Sequence, residues 1–169
     1  MTIAYRPATA ADLPAIDALF RSSFTDTFAH LYKPEDLSLF FADFTPEAWA
    51  EEFADLSYGW LLAEEGGQLA GFVKLGPPSV PVDSRADRLE LRQIYIDKTW
   101  HGRGIAPVLM DWAIGEAKAR GVHEIYLTVY VDNHRARRVY DRYGFEPVGS
   151  YSFMVGNHAD EDIIMRLTL

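Results

Sequence analysis

The chain has no cysteine among its 169 residues. That excludes disulfides, thiolate metal sites and a cysteine acyl-enzyme, and it is compatible with an intracellular setting. No apolar run approaches the roughly 18 residues of a membrane span, and the opening Met1-Thr-Ile-Ala-Tyr-Arg-Pro7 lacks the basic and apolar regions of a secretory signal. A soluble, cytoplasmic protein without a membrane partner is expected. Basic charge is scarce, with 16 Lys+Arg against 25 Asp+Glu and a net charge of −9, which speaks against a nucleic-acid partner. Repeats and low-complexity tracts are missing too, and the length suits one domain over residues 1–169 that buries about two-thirds of its unfolded surface.

The charge that is present is unevenly spread. Residues 92–142 hold 9 basic against 6 acidic residues, the one net-positive segment, while residues 1–91 and 143–169 are both net acidic. The acidic remainder would attract a cationic amine; equally, charge runs are often only solvated surface. Within the positive segment, Leu89-Glu-Leu-Arg-Gln-Ile-Tyr-Ile96 reads as a strand and Val108 to Arg120 as a helix. Between them lies a loop containing Gly102 and Gly104. A glycine loop entering a helix aims unpaired amides and the positive end of the dipole at whatever sits beside it, an anion cradle. The spacing fits neither a P-loop, which needs a lysine after the last glycine, nor a dinucleotide fingerprint, which would want glycine where Pro107 stands. Taken alone, the two glycines could equally just end a loop.

The remaining pattern is α/β. A strand at residues 2–6 precedes a helix that opens at Thr9 and places Leu13, Ile16, Leu19 and Phe20 on one face. Pro34 and Thr45-Pro46 start two further helices. Strands near 58–64 and 68–75 flank Glu65-Gly-Gly-Gln68, a hairpin signal, and the proline-rich stretch from Gly76, up to about residue 87, predicts a mobile loop that is either a substrate cover or a connector. After it come a strand at 89–96, a helix at 104–120, a strand at 124–130, a helix at 134–143 and strands near 145–154 and 160–168. Strand, helix, strand implies one parallel pair in an otherwise antiparallel sheet.

Two motifs together carry a resemblance. His101-Gly-Arg-Gly-Ile-Ala106, and then Asn133-His-Arg-Ala136, Tyr140 and Tyr143-Gly-Phe145, make the chain similar to the GNAT superfamily of acetyl-CoA-dependent N-acetyltransferases over residues 89–150. His101 stands where that pattern usually has Gln or Arg. Ser23-Phe-Thr-Asp-Thr-Phe28, Gly149-Ser-Tyr-Ser-Phe153 and Asp162-Ile-Ile-Met165 extend the likeness to the PaiA-type polyamine N-acetyltransferases. The resemblance implies a single-domain GNAT fold: a mixed, mostly antiparallel sheet whose central parallel strands splay, with flanking helices. It also implies acetyl-CoA as co-substrate, with CoA as product, and it calls for no metal.

In that reading the diphosphate of CoA meets the amides of Gly102, Arg103, Gly104, Ile105 and Ala106, with the His101 and Arg103 side chains nearby. Ile94, Tyr95 and Ile96 bond the pantetheine arm and polarise the thioester carbonyl, Asn133 belongs to the cofactor motif at the next helix, and Arg142 and Arg135 meet the 3′-phosphate of CoA or else only decorate an exposed helix. Tyr140 occupies the position of a proton donor to the departing thiolate, or else simply packs on Phe145. Glu90 is the candidate for accepting the amine's proton, or else it pairs with Arg92, which a regular strand would place on its own face together with Ile94 and Ile96. His123 and His134 are weaker choices. Asp26, Glu35, Asp36 and Asp43, interleaved with Phe24, Phe28, Tyr32, Phe40, Phe41 and Phe44, suit a small-molecule amine such as spermidine or spermine, or else the aromatics are core and the acids surface. A protein or peptide amine acetyltransferase and a non-catalytic CoA-binding regulator are the alternatives. Dimers are common in the resembled group, although nothing in the sequence specifies an interface.

Overall fold

In the computed structural model, which describes residues 2–82 and 87–169, strand β1 (Ala4–Pro7) passes to helix α1 (Leu13–Phe28) through a short 3-10 turn at Ala10–Asp12. The entry is fixed by charge. Thr9 donates from its amide and hydroxyl to the Asp12 carboxylate, and Arg6 grips Asp12 through two 2.8 Å bonds while reaching Glu64 on the next strand at 3.1 Å. The Arg6 guanidinium holds the Asp12 carboxyl well below the usual carboxylate range. Leu13, Ile16, Leu19, Phe20 and Phe24 form the buried stripe of α1, the face expected from their spacing.

Phe20 is the hub of this side of the molecule. Helices α2 (Pro34–Ala42) and α3 (Pro46–Ala54) bring Phe40, Phe41 and Trp49 against it, and Phe44 from the link between them lies 4.5 Å away, centroid to centroid. Truncating it leaves a cavity walled by rigid rings that collapse poorly. Phe20→Ala should therefore lose about 3–5 kcal/mol of stability, read as a lower denaturation midpoint at unchanged slope.

The sheet runs in the order β1-β2-β3-β4-β5-β7-β6, antiparallel except for the β4/β5 pair. Strands β2 (Gly59–Glu65) and β3 (Gln68–Gly76) form the expected hairpin through Gly66 and Gly67, both at positive φ. Strand β4 (Arg88–Ile96) does not alternate regularly. Lys74 pairs with Gln93 but Leu75 with Leu91, so Arg92 is an extra, bulged residue. The bulge resets which side chains face which way. Leu89 and Leu91 pack on the core beneath α4 together with Ile94 and Ile96, and Tyr95 goes to the opposite core beside Phe20 and Phe72. The expectation that Ile94 and Ile96 share a face with Glu90 and Arg92 is thus corrected.

Helix α4 (Ile105–Ala119) connects β4 to β5 (Glu124–Tyr130) and packs on β2, β3 and β4. It ends at Gly121 in the left-handed region, where Val122 donates back to Ala117 at 2.9 Å. Helix α5 (His134–Tyr143) is capped at both ends: the Asn133 side chain accepts from Ala136, and Gly144, at φ 94°, turns the chain so that Phe145 is buried against Tyr140. Strands β6 (Glu146–Val155) and β7 (His158–Thr168) close the sheet, and their turn seats against α2, where Asn157 donates to Asp36 at 2.9 Å. Among the described residues, no helix is long and apolar enough to cross a membrane.

Candidate active site

The parallel strands β4 and β5 are laddered only at Arg88–Glu124, Leu89–Ile125 and Glu90–Tyr126. Beyond Glu90, β4 keeps β3 as its one partner among the described residues, while β5 is paired along its length to β7. The two central strands have parted, and a cleft of about 540 Å³ opens where their remaining pairs would be. Ile94, Tyr95 and Ile96 form one wall of it, and Val129, Tyr130, Asp160 and Asp162 line it from β5 and β7. A smaller cavity of about 150 Å³ adjoins its end, between Gly102, Ile105 and Ala106 at the start of α4 and Arg135 on α5.

This smaller cavity has the features of an anion cradle. Gly102 and Gly104 sit at φ +77° and +78°, with open space where a Cβ would be, so the loop needs glycine for its backbone and keeps the first amides of α4 uncovered. Arg135 supplies the cation. Two other residues of the motif are engaged elsewhere. His101 contacts the Ile96 carbonyl through Nε2 at 2.9 Å; a carbonyl only accepts, so Nε2 carries the proton and the ring ties the loop to the end of β4. Arg103 turns away to a two-bond pair with Glu65 at 2.7 and 3.1 Å, outside both cavity linings. Arg142, exposed in the last turn of α5, also lies outside them, whereas Asn133 lines the main cleft while capping α5.

Tyr140 and Tyr95 both reach the main cleft. Burial pushes the Tyr140 phenol up to about 12, so it is fully protonated at neutral pH, and among the described residues its hydroxyl has no hydrogen-bond partner. Tyr95 is raised by burial, then by Tyr140 and Asp162 facing it. Three ionisable groups from α5, β4 and β7 therefore converge. The Glu90 carboxylate, by contrast, is occupied by the chain itself: Ser79 donates from its amide and hydroxyl, Val80 from its amide, and Arg92 lies 3.2 Å away. Glu90 fastens the described part of the proline-rich loop, where Val80 is buried; residues 83–86 of that loop lie outside the described residues. At the same inner end, the buried Lys74 ammonium pairs with Glu52 at 2.8 Å over the rings of Trp49 and Trp60.

On the outer wall, Phe24, Asp26, Phe28, Tyr32, Phe40 and Phe44 line the cleft, and Glu35, Asp36, Asp43 and Phe41 do not. His123 and His134 are exposed at a strand end and a helix start. The acids buried in the wall are Asp160 and Asp162, 6% and 5% exposed. Asp160 accepts a hydrogen bond from Tyr32 and faces His158 at 3.1 Å. Asp162 is pushed up to about 7 by burial and then by the neighbouring Asp160, against a lowering contact from Thr128. Acids two apart on a strand share a face, and that spacing was the available signal for them.

A raised carboxyl has a consequence for stability. The folded protein binds this proton more tightly than the unfolded chain, so the group withdraws stability as pH rises from about 4 to 7. Asp162→Asn should melt higher than the parent at pH 8, by about 2 kcal/mol after allowing for partial hydration, and the difference should vanish toward pH 4 in thermal scans.

A family model described as the acetyltransferase (GNAT) family matches residues 14–145. The PaiA N-acetyltransferase of Thermoplasma acidophilum, solved in complex with coenzyme A, superposes with a TM-score of 0.80 at 22% identity, covering all of both chains. The ribosomal-protein-alanine N-acetyltransferase of Brucella melitensis gives 0.76 at 25% identity over 98% of this chain and 99% of that one. A probable spermine N(1)-acetyltransferase of Bacillus subtilis subsp. natto is 32% identical over 89 residues, 52% of this chain and 59% of its own.

Proposed function

The chain belongs to the acetyltransferase (GNAT) family, and from that premise we propose that it acetylates a primary amine of a small polycationic molecule, a polyamine such as spermidine or spermine. That the chain is an acetyl-CoA-dependent N-acetyltransferase follows from its family. The acceptor is our reading, and one observation carries it: the cleft wall opposite β4 buries two carboxylates, Asp160 and Asp162, among the rings of Phe24, Phe28, Tyr32 and Tyr130. Carboxylates set among aromatic faces hold separated ammonium groups and the methylenes between them. The spermine-linked relative points the same way.

The chemistry follows from the geometry. The amides of residues 102–106 and Arg135 suit the diphosphate of acetyl-CoA, and the free edge of β4 at Ile94–Ile96 suits the amides of its pantetheine arm, as an added strand would. A β4 amide then stands where oxyanion charge develops on the thioester carbonyl. Tyr140, protonated and without a hydrogen-bond partner among the described residues, suits the role of giving its proton to the departing sulfur. The amine attacks directly, with no acyl-enzyme.

Thiol release from acetyl-CoA measured with spermidine, spermine, putrescine, lysine peptides and an alanine-initiated ribosomal-protein peptide tests this. The polyamines should give the highest kcat/KM. A peptide as the preferred acceptor would replace the polyamine reading with protein acetylation, the activity named for the Brucella neighbour.

A further inference from the structure

An alkyl ammonium has no lone pair, so something in the cleft must take its proton before attack. We propose that Asp162 is that acceptor, with the neighbouring Asp160 carboxylate on the same face of β7 tuning it. The inference rests on the amine-acetylation reading above.

The geometry favours Asp162 over the other carboxylates. It is buried on β7 and lines the cleft, and among the described residues only the Thr128 hydroxyl beside it favours its charged form. Glu90 spends its oxygens on Ser79, Val80 and Arg92, Asp160 spends one on Tyr32, and Asp26 is half exposed and 3.5 Å from Lys98. Asp162 and Tyr140 line the same cleft as Tyr95 of β4, and both act electrostatically on the Tyr95 phenol. The groups facing it are Tyr95 from β4, Thr128 and Tyr130 from β5, Tyr32 from the link after α1, and Asp160 with His158 behind it. Burial first, and then the neighbouring carboxylate, with three phenols and no cation facing it among the described residues, bring the affinity of Asp162 for a proton to the neutral range.

The step balances. The ammonium gives one proton to Asp162, and the freed lone pair forms the C–N bond at the thioester carbon. As the adduct collapses the C–S bond breaks and sulfur takes the Tyr140 proton. The second nitrogen proton returns to the Tyr140 oxygen, and Asp162 passes its own to solvent, so one proton is released per acetyl group transferred.

The test is the pH dependence of kcat/KM with spermidine between about pH 5.5 and 9.5, for the parent, Asp162→Asn and Asp160→Asn, with acetyl-CoA binding by calorimetry as the check on folding. The parent should show a rising limb near neutrality, besides the far more alkaline limb of the amine itself. Asp162→Asn should bind acetyl-CoA normally, lose the neutral limb and fall about a hundredfold or more in kcat/KM. Asp160→Asn, which can still accept from Tyr32 but removes one of the two carboxylates offered to the polyamine, should raise KM for spermidine and move that limb toward acid. A neutral limb that persists in Asp162→Asn, whatever the rate, overturns the assignment, as does an unmoved limb in Asp160→Asn. Failure of the parent to release thiol with any amine would instead overturn the acetylation reading, and the assignment with it.

Discussion

Tyr140→Phe should turn over acetyl-CoA about a hundredfold or more slowly than the parent while binding it almost as tightly. The substitution removes one oxygen and keeps the ring. The ring is held by Phe145 at 5.9 Å, a contact secured by the Gly144 cap rather than by the hydroxyl, so fold and cleft shape should persist. The lost oxygen bonds to no other described residue, so its removal leaves no buried group stranded. Its effect falls on the departing sulfur, whose charge develops only as the C–S bond breaks. An interaction made only in the transition state lowers kcat and kcat/KM together. Stopped-flow or steady-state thiol release beside calorimetric binding separates the two quantities, and an unchanged kcat would remove Tyr140 from the chemistry.

Gly104→Val should weaken acetyl-CoA binding by about a hundredfold, with turnover at saturation much less affected. Apart from its chain neighbours, no atom of the described residues lies within 4 Å of the Cβ position, yet φ is +78°, a conformation that a β-branched residue tolerates poorly. The loop can escape the strain only by rotating residues 102–105, and rotation swings the first amides of α4 out of line with the smaller cavity. Valine retained in place would instead project its methyls from the end of the helix into the space a phosphate oxygen needs. Both routes damage the same contact. Gly104→Ala, smaller but equally strained, should fall between valine and glycine, and equal affinity across all three in titration calorimetry would move the phosphate site elsewhere.

The local parts of this fold were legible because short-range chemistry sets them. The start of α1 at Thr9–Asp12, the hairpin at Gly66-Gly67, and the limits of α4 and α5 at Gly104, Gly121, Asn133 and Gly144 all follow from caps and turns within a few residues. The non-local parts were not. The bulge at Arg92 exists only relative to β3, so a strand read by itself alternates through it and misplaces Ile94 and Ile96. Arg103 sits in the phosphate motif, but its partner Glu65 is 38 positions away, and nothing near either residue announces the pair. Asp160 and Asp162 carried a readable two-residue spacing; which face of β7 looks into the cleft depends on its register with β5, a partner about thirty residues away. The surroundings of Glu90 meet the same obstacle, because Ser79 and Val80 come to it from a loop whose path the sequence does not dictate.

The separation of β4 from β5 has one more consequence. Main-chain donors and acceptors border the gap, and every amino acid except proline carries the same ones. A guest read by that border is recognised through peptide geometry, not through any particular side chain. Residues flanking it are thereby released to drift so long as the bulge and the three surviving rungs hold the strands apart, and a shared architecture can outlast most of the shared letters, as it has between this chain and its Thermoplasma counterpart.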